Sequence, residues 1–222
     1  MEKKSNLTKI LNNFNDTTTL KKLNQFVYSD IIKIKRPRIL EFGVDKGIST
    51  SFFLNICEKN NGNLTSVDII NYNNLLYNKK WNFINTHDSN YKKILKNNHT
   101  AFDVIFLDTI HTARHIERIF YIYFSKLKIN GYFLIDDIFW LPYCKGLWRD
   151  NFWIETNNRE SFEKLISIYN ANQKNMEISF LMKDSGLAKI RKISNNKLAK
   201  PIKLTNRTSG LKYFIKNLLF KS

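Results

Sequence analysis

Between Arg38 and Lys192 the chain switches repeatedly between short apolar runs and longer amphipathic stretches, and this alternation constrains it more than any other feature. Strand-length apolar runs separated by helix-length stretches are what parallel βαβ units require, because each crossover helix covers a sheet face that the strands leave apolar. The first run, Arg38-Ile39-Leu40-Glu41-Phe42, ends at Gly43. A helix over 49–58 follows, carrying Phe52, Phe53, Leu54 and Ile56, then a turn at Gly62 and a second strand over 64–68. Residues 81–85 give a short third strand. Phe102-Asp103-Val104-Ile105-Phe106-Leu107 is near-continuously apolar, as a central parallel strand buried on both faces must be, and Asp108 closes it. Helical spacing over 111–128 is expected to break at Asn130-Gly131, before a fifth strand over 132–135 that ends in Asp136-Asp137. A helix over 159–170 and strands over 177–182 and 187–192, joined at Asp184-Ser185-Gly186, complete the pattern with an antiparallel pair.

At 222 residues and 43% hydrophobic, the chain can bury a substantial core, which excludes disorder as the whole answer. Its net charge of +17 is the usual first hint of nucleic acid. However, residues 192–222 carry +8 of it with no acid, and the richness in Lys, Asn and Ile also follows from AT-rich coding. Two cysteines, Cys57 and Cys144, cannot build a disulfide framework and read as reduced, cytoplasmic thiols. No apolar run reaches the ~18 residues that a membrane span needs, and the start lacks a signal peptide's apolar core, so a soluble protein is expected. Residues 1–36 read as an N-terminal helical cap, 37–192 as the α/β domain, and 193–222 as a basic linker followed by a helix. In that helix Leu211, Phe214, Ile215, Leu218 and Leu219 alternate with Lys212 and Lys216, a basic amphipathic pattern suited to an anionic membrane surface, to a partner, or to packing back on its own domain.

The chemistry concentrates at the strand ends. Leu40-Glu41-Phe42-Gly43-Val44-Asp45-Lys46-Gly47-Ile48-Ser49 is a strand end, a glycine turn and a helix start, where free backbone N–H groups can meet a nucleotide-like ligand. The spacing departs from the G-x-G-x-x-G dinucleotide fingerprint. Asp68 ends the second strand, where an acid can accept both hydroxyl protons of a ribose. Asp88 follows the third, at the place of an adenine amino group or as a helix N-cap.

Together these residues resemble the class I S-adenosylmethionine-dependent methyltransferases. The resemblance rests on Glu41-x-Gly43-x-x-x-Gly47-x-Ser49, Val67-Asp68, Asp88-Ser89, the run from Phe102 through Asp108 to His111-Thr112, and Gly131-Tyr132-x-x-Ile135-Asp136-Asp137. It implies a Rossmann-like doubly wound seven-stranded sheet, mostly parallel, with a terminal antiparallel hairpin and helices on both faces. It further implies S-adenosylmethionine as cofactor, held by Gly43, Gly47, Ser49, Asp68, Asp88, Ser89 and Asp108, with Glu41 supporting the loop or meeting the cofactor's amino group. Within the family, the Asp108-x-x-His111 and Asp136-Asp137 pattern is similar to the O-methyltransferases of small molecules and sugars. Some of these hold a divalent metal between strand-end acids, which assigns Asp108, Asp136 and Asp137 to Mg²⁺ and His111, with Asp108, to catalysis. The chain departs from the metal-using relatives just after Asp108, where they commonly carry another acid or small polar residue and it has Thr109 and Ile110. His115, four residues beyond His111, reads as a solvated histidine. The aromatic stretch from Phe139 through Trp140 and Tyr143 to Trp148, Phe152 and Trp153, with Lys145 and Arg149, is placed to receive a sugar ring or planar acid, or to pack as core.

The expected function is O-methylation of a hydroxyl on a small molecule or glycan. The alternatives are an RNA methyltransferase, a non-catalytic nucleotide-binding protein of the same fold, and an NAD-linked oxidoreductase. Against the second class of acceptor, no Asn/Asp-Pro-Pro-Tyr/Phe follows strand four and no Pro-Cys nucleophile exists. A homo-oligomer is compatible with the sequence.

Overall fold

The computed structural model describes residues 17–96, 101–140, 151–205 and 210–219. Two helices, α1 (Thr18–Phe26) and α2 (Tyr28–Ile31), precede β1 (Arg38–Phe42), α3 (Ile48–Lys59), β2 (Asn63–Asp68), β3 (Trp81–Asn85) and α4 (Tyr91–Leu95). Then come β4 (Phe102–Leu107), α5 (Ala113–Tyr123), β5 (Leu127–Asp136), α6 (Phe152–Ala171), β6 (Met176–Leu181), β7 (Leu187–Lys192) and α7 (Leu211–Leu219). The seven strands form one sheet in the order β3-β2-β1-β4-β5-β7-β6. Strands β1 to β5 pair in parallel, and β7 runs antiparallel to both β5 and β6.

Strand periodicity divides the core into two layers. On β4, Val104 and Phe106 join Ile39 of β1, Phe53 of α3 and Leu20 and Leu23 of α1 on one face. Ile105 and Leu107 join Leu40 and Phe42 on the other, under Ile116, Ile119 and Phe120 of α5 and Leu165 and Ile168 of α6. The sheet is therefore doubly wound. The chain leaves β1 toward β2 on one side and reaches β4 on the other, so a crevice opens above the carboxyl ends of these two strands, where such sheets bind ligands. No described helix is long and apolar enough to cross a membrane.

Three segments depart from the sequence expectation. Helix α5 stops at Tyr123, a single 3₁₀ turn spans Phe124–Lys126, and β5 already begins at Leu127. Asn130-Gly131 thus interrupts a strand rather than ending a helix: the pairing jumps from Phe102↔Leu127 to Val104↔Tyr132, and Asn130 takes φ 65°. Helix α6 starts seven residues earlier than expected, at Phe152, because the Asn151 side chain accepts the N–H groups of Trp153 and Ile154, both at 3.1 Å. Residues 193–205 are less free than a linker. Asn172 behaves as a surrogate backbone, accepting the Ala199 N–H at 2.8 Å and donating to its carbonyl at 3.1 Å, and Ile202 pairs with Ser167.

Candidate active site

The turn after β1 is built from within. Gly43 has φ 92°, and a Cβ there would stand 1.9 Å from the Asp108 carbonyl oxygen, so its glycine is demanded by the closeness of β1 and β4. Gly47, at φ 76°, caps α3, and a Cβ on it would meet the Leu75 side chain at 2.8 Å. Glu41 is fully buried beneath this turn. Its carboxylate accepts from Ser49 Oγ (2.6 Å), Thr50 Oγ1 (2.8 Å) and Ser66 Oγ (2.6 Å), and burial pushes its carboxyl up to about 7 despite those three donors. Of the two roles expected for Glu41, this geometry serves support of the loop.

Above the turn lies a cleft of about 400 Å³ lined by Gly43, Val44, Ser49, Asp68, Asp88 and Asp108, among others. Asp68 is anchored by two backbone groups: Oδ2 accepts Val44 N–H at 2.8 Å and Oδ1 accepts Ile70 N–H at 2.9 Å. Each oxygen keeps a lone pair for a ligand. Asp88 is buried, and its Oδ2 accepts from Thr109 Oγ1 at 2.8 Å and lies 2.7 Å from His115 Nε2. Its Oδ1 is buried with no hydrogen-bond partner. His87 Nδ1 stands 2.9 Å away but already accepts from the Ser89 backbone at 3.2 Å, so it carries a lone pair there and cannot donate to Asp88. One acceptor in the cleft wall is left wanting a donor. The expected N-cap role falls instead to Asn90, whose side chain accepts Lys93 N–H.

A second group stands at the ends of β4 and β5. His111 Nε2 is 3.5 Å from both Asp108 Oδ1 and Asp137 Oδ2, and all three side chains are about a third exposed. Burial first, then the charges of Asp136 and Asp137, hold the Asp108 carboxyl well above the usual range. Asp136 itself is buried and ion-paired with Lys22, a 2%-exposed residue of α1. The Lys22 ammonium also meets Ser185 Oγ at 2.5 Å and Gly186 O at 3.3 Å.

Of the expected residues, Gly43, Ser49, Asp68, Asp88 and Asp108 line the cleft together, whereas Glu41 lies beneath it and neither Gly47 nor Ser89 is part of the lining. Asp136 and Asp137 lie beside Asp108, but among the described residues no three His, Cys, Asp or Glu side chains form a group able to hold a metal ion. His115 is not solvated: it is 10% exposed and bonded to Asp88, because α5 turns its first helical turn toward the end of β3. Sequence reasoning missed Lys22 and Thr109. Leu141 to Asp150, with Tyr143, Lys145, Trp148 and Arg149, lie outside the described residues, as does Cys144. Of the remaining aromatics, Trp140 takes the Arg159 guanidinium over its ring at 5.0 Å, while Phe152 and Trp153 are exposed.

Residues 40–138 match a family model described as a methyltransferase domain. Solved structures share the fold. The MycE methyltransferase of the mycinamycin biosynthetic pathway, in complex with Mg and SAH, superposes with a TM-score of 0.63 at 15% identity, over 88% of this chain. The present chain spans 57% of the length of that protein. A candidate caffeoyl-CoA O-methyltransferase from Staphylococcus aureus matches at 19% identity and TM-score 0.59, over 83% of this chain and 91% of that one. A candidate rRNA methylase from Clostridium thermocellum matches at 13% identity and TM-score 0.56, over 80% and 95%. No curated protein matches the sequence. Over residues 40–138 the chain is thus similar to a methyltransferase domain, and its sheet is the fold of solved methyltransferases.

Proposed function

We propose that this protein methylates a hydroxyl group of a small molecule or sugar, with S-adenosylmethionine as donor. The observation that carries the reading is the cleft wall itself. Asp68 offers two anchored carboxylate oxygens to a ribose diol, and Asp88 Oδ1 is a buried acceptor without a donor, which an adenine amino group would supply. The donor would bring a methyl group on a sulfonium, ready for displacement by an oxygen nucleophile.

The chain's own part is to prepare that oxygen. Two carboxylates facing His111 Nε2 favour the tautomer protonated there, which leaves Nδ1 to take the acceptor's proton, and they hold the imidazolium once it forms. MycE has also been solved with mycinamycin VI bound alongside Mg and SAH, which supports a small-molecule acceptor as the class to try first. The RNA alternative has less behind it, since about half of its motivation, the +17 charge, sits in the terminal segment 192–222. Asp108, Asp136 and Asp137 do not offer a ready metal cage, because Asp136 is already committed to Lys22. No step is therefore assigned to a metal.

The test is calorimetric titration with S-adenosylmethionine, with NAD as control, followed by methyl transfer to a panel of sugars and hydroxylated aromatics. Asp68→Ala should weaken donor binding at least tenfold. His111→Ala should bind the donor normally and lose roughly 10²–10⁴ in rate. Silence toward S-adenosylmethionine would remove the proposal, and equal rates for wild type and His111→Ala would remove the base.

A further inference from the structure

Lys22 is paired with Asp136, one of the three acids among which the resemblance puts a divalent cation. Its side chain reaches from α1, on one face of the sheet, to the carboxyl end of β5, and is buried to 2% exposure. The ammonium has three donor protons and three oxygen partners: Asp136 Oδ1, Ser185 Oγ at 2.5 Å and Gly186 O at 3.3 Å. Asp136 Oδ1 additionally accepts the Asp137 N–H at 3.0 Å. Lys22 also acts on Asp108, whose carboxyl it pulls down against the push of Asp136 and Asp137.

Mg²⁺ demands near-octahedral oxygen coordination at about 2.1 Å and dehydrates reluctantly. At this cluster it would have to take Asp136 Oδ1 from a buried ammonium, and the displaced charge would be left in the interior beside a dication. Burying an uncompensated charge is among the costliest changes a protein can undergo. Asp108 and Asp137, meanwhile, are turned to His111.

We infer that Lys22 is the resident cation of this site, so that Asp136 is held and its charge balanced without a divalent metal while Asp108 and Asp137 stay turned to His111. Lys22 is then a positioning residue: it fixes Asp136 and ties the turn between β6 and β7 to the strand end. The inference rests on the cluster alone and stands or falls independently of the donor and acceptor proposed above.

The experiment uses the full chain, stripped with a chelator and dialysed, and follows thermal unfolding with and without millimolar MgCl₂ or MnCl₂. The wild-type Tm should not move, and Mn²⁺ electron paramagnetic resonance should detect no ion whose binding depends on Asp136. Lys22→Met, which keeps the aliphatic stem, should unfold at lower temperature without metal and regain several degrees with Mg²⁺ or Mn²⁺; adding Asp136→Asn should abolish that response. A wild-type Tm that rises with Mg²⁺, or a Mn²⁺ signal in wild type that Asp136→Asn removes, would overturn the inference, as would a folded Lys22→Met indifferent to both metals. Should Lys22→Met fail to fold, the wild-type resonance measurement still decides.

Discussion

At the residue scale, Glu41 makes the sharpest prediction. Its carboxyl, raised to about 7 in the folded protein against 4.5 ordinarily, binds its proton more tightly when folded than when unfolded. Folding is accordingly favoured by this group at low pH, and the advantage is lost as pH rises from about 4.5 through 7, to a total on the order of 3 kcal/mol. Glu41→Gln removes the titration while retaining the shape. Urea unfolding should show wild type losing ground to Glu41→Gln between pH 5 and pH 8, and a difference that stays constant across that range would refute the account. Asp68, Asp88 and Asp108 were legible in the sequence because an acid at the end of a parallel strand is positioned by the strand alone. Lys22 was not. It sits beside Lys21 in the sequence with nothing to tell the two apart, yet Lys21 is exposed and Lys22 is buried against a carboxylate 114 residues away. His115 failed for the same reason: its partner, Asp88, is 27 residues upstream on another strand end.

At the element scale, the two glycines of the first turn separate cleanly. Gly43→Ala would drive a methyl group into the Asp108 carbonyl at a positive φ, and neither partner can move without parting β1 from β4. A loss of at least about 3 kcal/mol is expected, read as a lower denaturation midpoint. Gly47→Ala meets the end of a flexible leucine, so only the left-handed backbone penalty of roughly 1 kcal/mol should register. Equal costs at the two positions would contradict this division. The strands were readable because their apolar content is local. What escaped was the start of β5, where Asn130-Gly131 carries the local signature of a break but is bridged by pairing with β4, and the first turns of α6, whose Asn151 cap lies in a stretch dominated by aromatics.

At the scale of the whole molecule, the C-terminal region divides near Thr205. Leu198 packs on the core and Ala199 and Ile202 bond to α6 and α5, whereas Leu211, Phe214, Ile215, Leu218 and Leu219 of α7 are all exposed. Ending the chain after Thr205 should change stability by no more than about 0.5 kcal/mol, while ending it after Lys192 should cost several times that. Thermal unfolding of the two truncations checks the order, and equal losses would mean that α7 is held more firmly than its exposure indicates. The doubly wound architecture was legible from the alternation of runs, since each strand-length apolar run is a local signal and seven of them leave few alternatives.

The contact between Lys22 and the turn at Ser185-Gly186 bridges 164 residues of chain at its widest. During synthesis at about 5–20 residues per second, the helix bearing Lys22 emerges roughly 8–30 seconds before the last of its oxygen partners exists. Until then its ammonium has no buried place to go, and α1 cannot settle fully on the sheet. An early-made helix of this domain is consequently among the last to be locked, and the charge that pairs with Asp136 reaches its full set of partners only when the sheet is complete.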